Sequence, residues 1–266
     1  MTASGCLFLI LLLSIAVAYA SVLKSFPDYV NEACKVYCDG PLLQAIQLAR
    51  IFPDSKTFVD MPMKYPPSIT LTAFFAIPDP TNVTLLTKFL NDYFSEAGSD
   101  VIPWNPVDYN PNPAFIQSMP SDFQYKSWAA DLNTLWSTLG RQVSPQVSTE
   151  PSQHSLVPRN HPMIVPGGRF RESYYWDSYW IVRGLLVCDM HVSALYVIQN
   201  LLDDIRNFGF VPNGGRIYYL DRSQPPLLSA MVVTYYKYCV AHASTCSVDM
   251  GSFVHSSFVL LEQVCM

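Results

Sequence analysis

Pro166-Gly167-Gly168-Arg169-Phe170-Arg171-Glu172-Ser173-Tyr174-Tyr175-Trp176-Asp177-Ser178-Tyr179-Trp180 is the stretch on which the fold turns. Paired glycines admit a turn that residues with a Cβ resist, and the run after them is too aromatic and too poor in breakers to be a second loop. The stretch therefore reads as a tight loop feeding a helix from about Ser173. On that helix Phe170, Tyr174, Asp177, Trp180 and Ile181 fall near one face, so Arg169, Trp176 and Asp177 gather at its N-terminal end. Such a set suits a sugar. Arginine donates to ring hydroxyls, a carboxylate accepts from two of them, and an aromatic face covers the apolar side of a pyranose. The same residues also suit an ordinary core, because aromatics at helical spacing commonly pack inward and Arg169 near Glu172 has the look of a structural ion pair.

Outward from this stretch the chain alternates helices with proline-punctuated loops. Asp39-Gly40-Pro41 opens a helix with Leu42, Ile46 and Ala49 on one side, and Asn82 to Phe94 forms a second, with Leu85, Leu86, Phe89, Leu90 and Tyr93 together. Residues 54 to 80 read mostly as loop, where Asp60 is a turn residue before proline, and 101 to 120 as an extended wrap anchored by Trp104 and Phe115. A third helix is capped by Ser121 or Asp122, carries Trp128, Leu132, Leu135, Trp136 and Leu139 as a core-facing stripe, and stops at Gly140. Residues 141 to 165 are again loop-like. Past the opening stretch, a helix from about Met190 to Phe208 ends at Gly209, and a loop over 212–226 leads into another helix with Pro225 and Pro226 near its first turn. One loop-helix-helix unit thus lies between Arg169 and Arg222. The two loops should emerge at the same end of neighbouring hairpins, as in a toroid of helical hairpins.

Composition sets the outer bounds. The chain has 266 residues, 50% of them hydrophobic and 14% charged, with a net charge of -5, which fits a packed globular protein and gives no basic run for nucleic acid. Cys6 to Val17 form an apolar run before Ala18-Tyr19-Ala20, the small-x-small pattern of a signal peptidase site. We expect residues 1–20 to be a signal peptide and the product to be secreted, without stable membrane insertion once the signal is cleaved. An uncleaved signal anchor is the alternative, since the segment lacks Lys and Arg ahead of its apolar run. Six cysteines remain after the signal; Cys34 with Cys38 is a plausible local bridge, while the rest are not paired by sequence, and Cys188 reads as a buried inert thiol. Asn82-Val83-Thr84 is a glycosylation sequon, consistent with an exported glycoprotein.

The opening stretch resembles the first signature of the trehalase family of glycoside hydrolases. Two further stretches resemble the same family in the same order: Lys56-Thr57-Phe58-Val59-Asp60-Met61-Pro62 upstream, and Pro212-Asn213-Gly214-Gly215-Arg216-Ile217-Tyr218-Tyr219-Leu220-Asp221-Arg222-Ser223-Gln224-Pro225-Pro226 downstream. The resemblance implies an all-α fold, an (α/α)6 toroid, present over 21–266 as an incomplete N-terminal part, with 240–266 departing from the family. It implies hydrolysis of α,α-trehalose to two glucose molecules, with Arg169, Trp176, Asp177, Asn213, Arg222, Ser223 and Gln224 contacting the sugar. From the residues alone, Asn213 and Ser223 suit a loop that satisfies its own backbone and caps the next helix equally well.

Trehalases are inverting enzymes, in which one carboxyl group protonates the leaving oxygen and a second activates water across a gap of about 6.5–9.5 Å. The resemblance places the family's acid and base in downstream motifs that this sequence does not contain, so no catalytic residue is assigned here. A non-catalytic secreted fragment with weak or no sugar binding is the alternative expectation. No G-x-S-x-G, H-E-x-x-H, P-loop or dinucleotide motif appears and the histidines do not cluster at ligand spacing, so neither a metal nor another cofactor is expected.

Overall fold

The structure is a computed structural model that describes residues 26–246 and 248–265, with the side chains of 263–265 excepted; the expected signal segment lies outside the described residues. The fold is all-α with one small sheet. Helix α1 (Asp28–Tyr37) is followed by α2 (Pro41–Ala49), whose proline stands in the first turn and whose Leu42 and Ile46 are buried as their spacing predicts. The segment expected as loop over 54–80 contains α3 (Lys56–Val59) and α4 (Pro67–Phe75). Prolines misled there because Pro67 sits at the start of a helix, where its missing N–H has no partner to lose. Helix α5 (Val83–Tyr93) is capped by Asn82, whose Oδ1 accepts from the N–H groups of Thr84 and Leu85 at 3.0 and 3.2 Å.

The wrap over 101–120 holds strand β1 (Val101–Pro103) and α6 (Ala114–Ser118), and Trp104 and Phe115 do pack on the core. Helix α7 (Lys126–Leu139) begins later than the expected cap at Ser121 or Asp122 and ends at Gly140. That glycine is required, because a Cβ there would lie 2.0 Å from the Trp104 carbonyl oxygen. Strand β2 (Gly140–Val143) pairs antiparallel with β1 on one side and with β3 (Met163–Ile164) on the other, with α8 (Pro145–Thr149) between them in sequence. Strands of two to four residues are too short to show a period of two, so the sequence does not announce them.

The core-facing stripe assigned to α7 is corrected by the structure. Trp136 and Leu139 pack against the core, but Trp128, Leu132 and Leu135 are exposed, Trp128 by 60%. Helical spacing identifies an apolar face and says nothing of what covers it.

Helices α9 (Tyr175–Val187), α10 (His191–Phe208), α11 (Leu228–Ala241) and α12 (Met250–Cys265) pack on one another as antiparallel hairpins around one core, which includes Val182, Leu185, Ile198, Met231 and Tyr235. Gly209 closes α10 in the left-handed region at φ 84°, the role its sequence position implies. A second core is built by α1 to α5. Phe208, Ile217 and Leu220, from the end of α10 and the loop after it, belong to this second core and join the two halves. Cys34 and Cys38 are bridged as expected, Cys239 and Cys246 form a second bridge, and Cys188 is a buried free thiol that accepts a hydrogen bond from Trp136 Nε1 at 3.2 Å.

Candidate functional site

The opening stretch folds as loop, extended segment and helix. Gly167 and Gly168 take φ of 101° and 61°, the left-handed region that a side chain disfavours, and the Gly167 and Phe170 backbones bridge across the turn. Helix α9 starts at Tyr175, two residues after the expected Ser173, so Phe170 and Tyr174 precede the helix instead of sharing a face with Asp177. Tyr174 is extended, and its segment is laced to the loop over 212–226: Gly215 N–H donates to the Ser173 carbonyl at 2.9 Å and Tyr175 N–H to the Asn213 carbonyl at 3.2 Å. The Gln224 side-chain oxygen accepts from Trp176 N–H at 3.1 Å, occupying one of the free donors at the start of α9. These contacts hold the two loops side by side, as the hairpin spacing requires.

Beneath them lies a buried ion cluster that the sequence did not reveal. Arg216, 0% exposed, places Nε 3.2 Å from Asp60 Oδ1 and 3.3 Å from Glu172 Oε2, and Nη1 3.4 Å from Asp100 Oδ2. Lys56 Nζ lies 2.9 Å from Glu172 Oε1 and also pairs with Asp60. Tyr218 donates to Asp60 at 2.9 Å, Tyr174 donates to Glu172, and Arg216 donates to Ser155 Oγ at 2.8 Å. One cluster therefore ties together residues from all three family-like stretches. One expectation is extended and one corrected here: Asp60 stands in the turn after α3 as expected but is also a buried ion partner, and Glu172 pairs with Lys56 and Arg216, leaving Arg169 outside the pair.

The three carboxyl groups respond differently to this setting. Burial pushes Glu172 up, but Arg216 and Lys56 more than offset it and hold the group below the usual carboxylate range. Asp100 is likewise pushed up by burial and brought below its ordinary value by Arg216 and His154. Asp60 goes the other way: burial raises it, and the neighbouring charge of Glu172 adds to the rise that Arg216 and Lys56 only partly oppose. Asp60 thus bears the burial and like-charge repulsion that Arg216 and Lys56 do not offset.

Of the proposed sugar contacts, Arg169 and Arg222 line one open cleft of about 350 Å³, together with Gln47, Lys56, Tyr218 and Tyr219. Arg169 Nη2 lies 2.6 Å from Asp54 Oδ1, and the Arg222 guanidinium sits 5.1 Å from the Tyr219 ring centre. Both arginines are half exposed, with planar donors turned to the surface. Trp176 and Asp177, in the first turn of α9, lie outside the lining of this cleft, as do Asn213, Ser223 and Gln224. Ser223 Oγ donates to the Val211 carbonyl at 2.7 Å, and α11 receives no side-chain cap, so this hydroxyl serves its own loop and not the next helix. Among the described residues no group of three His, Cys, Asp or Glu side chains is placed to hold a metal ion, and no helix is long and apolar enough to cross a membrane.

Comparison with known proteins decides the family. The trehalase family model matches residues 50–255. The chain belongs to the trehalase family. It is 43% identical over 212 residues to the trehalase of Oryctolagus cuniculus, covering 78% of this chain and 36% of that protein, and 47% identical over 206 residues to the trehalase of Bombyx mori, covering 76% and 35%. Neutral trehalase Nth1 from Saccharomyces cerevisiae, a solved structure, aligns at a TM-score of 0.35 with 33% identity over 39% of this chain and 18% of that one. The chain thus spans about a third of the length of the trehalases it matches. The loops over 166–171 and 212–226 and the Arg216 cluster fall inside the family match, as does most of the cleft, whose Tyr37, Leu43 and Gln47 precede it.

Proposed function

We propose that this chain is the sugar-binding part of an inverting trehalase that hydrolyses α,α-trehalose to glucose. The observation that carries the reading is the convergence of Arg169 and Arg222, from separate family-like loops, on one cleft with Tyr218, Tyr219 and Lys56. Half-exposed guanidinium donors at the rim of a cleft bind neutral hydroxyls by charge-assisted hydrogen bonds, and flanking rings cover the apolar faces of a pyranose. Trp176 and Asp177 at the start of α9, held to the second loop through Gln224, supply a further aromatic surface and acceptor, and Asn213 supplies an amide. An inverting hydrolysis needs an acid and a base on opposite sides of the glycosidic bond. The motifs that resembled family members use for those two carboxyl groups do not occur in these 266 residues. The chain as given therefore binds sugar without cleaving it.

Export through the secretory route fits the same reading, supported by the segment over 1–20 and by the exposed sequon at Asn82. Titrating purified residues 21–266 with trehalose tests the binding claim, with Arg222→Ala as control: saturable heat that the substitution weakens at least tenfold is expected. Absence of binding in the folded chain favours the fragment without sugar affinity. Release of glucose that Asp177→Asn abolishes would overturn the assignment of catalysis to groups elsewhere.

A further inference from the structure

Between α2 and α4 runs a groove of about 520 Å³, lined by Gln44, Leu48, Phe74, Phe75, Pro80 and Thr81 among others. Leu48 and Phe75 are 74% and 65% exposed, so apolar side chains from two helices meet at the surface with nothing from the described residues over them. The last of the lining, Pro80 and Thr81, runs directly into Asn82-Val83-Thr84. Asn82 is exposed, and its Oδ1 is turned to the start of α5, where it accepts from the N–H groups of Thr84 and Leu85. Nδ2, on the other side of the same planar amide, has no partner among the described residues. We propose that Asn82 carries an N-linked glycan and that the first sugar rings of this glycan lie in the groove between α2 and α4, over Leu48 and Phe75. The proposal rests on the reading that the chain is exported.

In the secretory compartment Nδ2 forms a bond to the anomeric carbon of an N-acetylglucosamine. The bond from that carbon to the diphosphate of a lipid-linked oligosaccharide breaks, the lipid diphosphate leaves with the electron pair, and the amide gives up one proton. Val83 is not proline, and Thr84 supplies the hydroxyl that the third position of the acceptor requires. Glycosylation leaves the Oδ1 lone pairs intact, so the sugar and the helix cap coexist on one side chain. The groove suits what the tether brings to it. Phe75 offers a ring to the C–H face of a pyranose, Leu48 and Pro80 offer apolar surface to an N-acetyl methyl, and the exposed Gln44 amide both donates to and accepts from hydroxyls. At about 520 Å³ it lies within the roughly 300–1,000 Å³ of sites that hold small molecules, which is room for two rings. A covalent tether one residue from the lining holds the sugar there at high effective concentration, so weak contacts suffice.

The test expresses the full chain in a eukaryotic host behind its own residues 1–20 and, separately, behind a foreign signal peptide in their place. Behind the foreign leader the intact mass should exceed that of the polypeptide by one N-glycan, which peptide-N-glycosidase removes and Thr84→Ala prevents. That substitution deletes the acceptor sequence and spares the Asn82 cap, which uses only the Thr84 backbone. Hydroxyl-radical footprinting then reads the groove: Phe75 and Leu48 should oxidise at least threefold more slowly in the glycosylated chain than in Thr84→Ala, while the exposed Trp128 oxidises equally in both. A chain without glycan behind the foreign leader overturns the proposal, as does a glycan that leaves Phe75 and Leu48 at the Thr84→Ala rate; either result leaves the export reading standing. Protection that persists in Thr84→Ala and grows with protein concentration gives the groove to a second copy of the chain and overturns the proposal as well. A chain glycosylated behind the foreign leader but unmodified behind its own overturns the export reading and, with it, a glycan on the natural protein.

Discussion

Arg169 is paired with Asp54 across two exposed side chains, and exposed pairs of this kind add little to stability because water screens them. That partner sharpens what its loss should do. In a trehalase that carries the downstream motifs, or in this chain joined to them, Arg169→Ala removes a charged donor from the sugar and should cost about 2–4 kcal/mol of transition-state binding, some 30- to 1000-fold in kcat/KM. The melting temperature should stay nearly unchanged, and a variant with normal kcat/KM would remove Arg169 from the sugar contacts. Arg216 should behave in the opposite way. Arg216→Met leaves Glu172, Asp60 and Asp100 buried with one cation among them, and breaking a buried pair typically costs about 3–5 kcal/mol, so denaturant melts should show a large loss of stability. The cluster also sets an acid limit. Glu172 and Asp100 titrate below their unfolded values, so their stabilisation is fully present above about pH 4 and is lost as pH falls through their lower folded values. Asp60, raised in the folded state, works against that loss because its protonation favours the fold. Equilibrium melts between pH 6 and pH 2 should therefore show net destabilisation on the acid side, and stability independent of pH there would mean that the cluster is not charged.

At the scale of elements, the sequence is most legible where one residue type has one physical use. Gly209 closes α10 and Pro41 opens α2 as their positions imply, and Asn82, legible in the sequence only as the start of a helix, caps α5; each acts on backbone groups within four residues of itself. Asn82→Ala should accordingly cost about 1 kcal/mol, while Asn82→Asp keeps an acceptor for the Thr84 and Leu85 N–H groups and should cost little; equal melting temperatures for the two variants would remove the cap from the account. The Arg216 cluster was not legible for the converse reason. Lys56 and Asp60 stand one helical turn apart, but Glu172 joins them from 116 residues beyond Lys56, and no periodicity links a charge to a partner at that distance. The family resemblance named Arg169 and Arg222 and did not say which groups hold their loops in place. Residues 67–75 illustrate a third case, in which proline at a helix start and proline in a loop look alike until the next residues are seen to pack.

For the whole molecule, the informative surface is the groove between α7 and α9, about 500 Å³ in volume and lined by Phe115, Trp128, Leu132, Trp136, Trp180 and Val187. Trp180 and Val187 are more than half exposed, as is Trp128, so apolar side chains from two helices meet at the surface instead of in a core. Contiguous apolar patches on monomeric proteins rarely exceed a few hundred Å², and larger ones associate or bind apolar molecules. The purified chain should therefore enhance the fluorescence of an anionic hydrophobic dye while still folded, with melting monitored independently by circular dichroism. Trp128→Glu combined with Leu132→Gln should reduce that fluorescence several-fold. It should do so without lowering the melting temperature, because neither side chain is buried and truncation there leaves no cavity. Dye binding that survives the double variant would locate the sticky surface elsewhere, the groove between α2 and α4 with its exposed Leu48 and Phe75 being the next place to substitute. A loss of stability in the same variant would instead show that α7 packs its outer face more tightly than its exposure indicates.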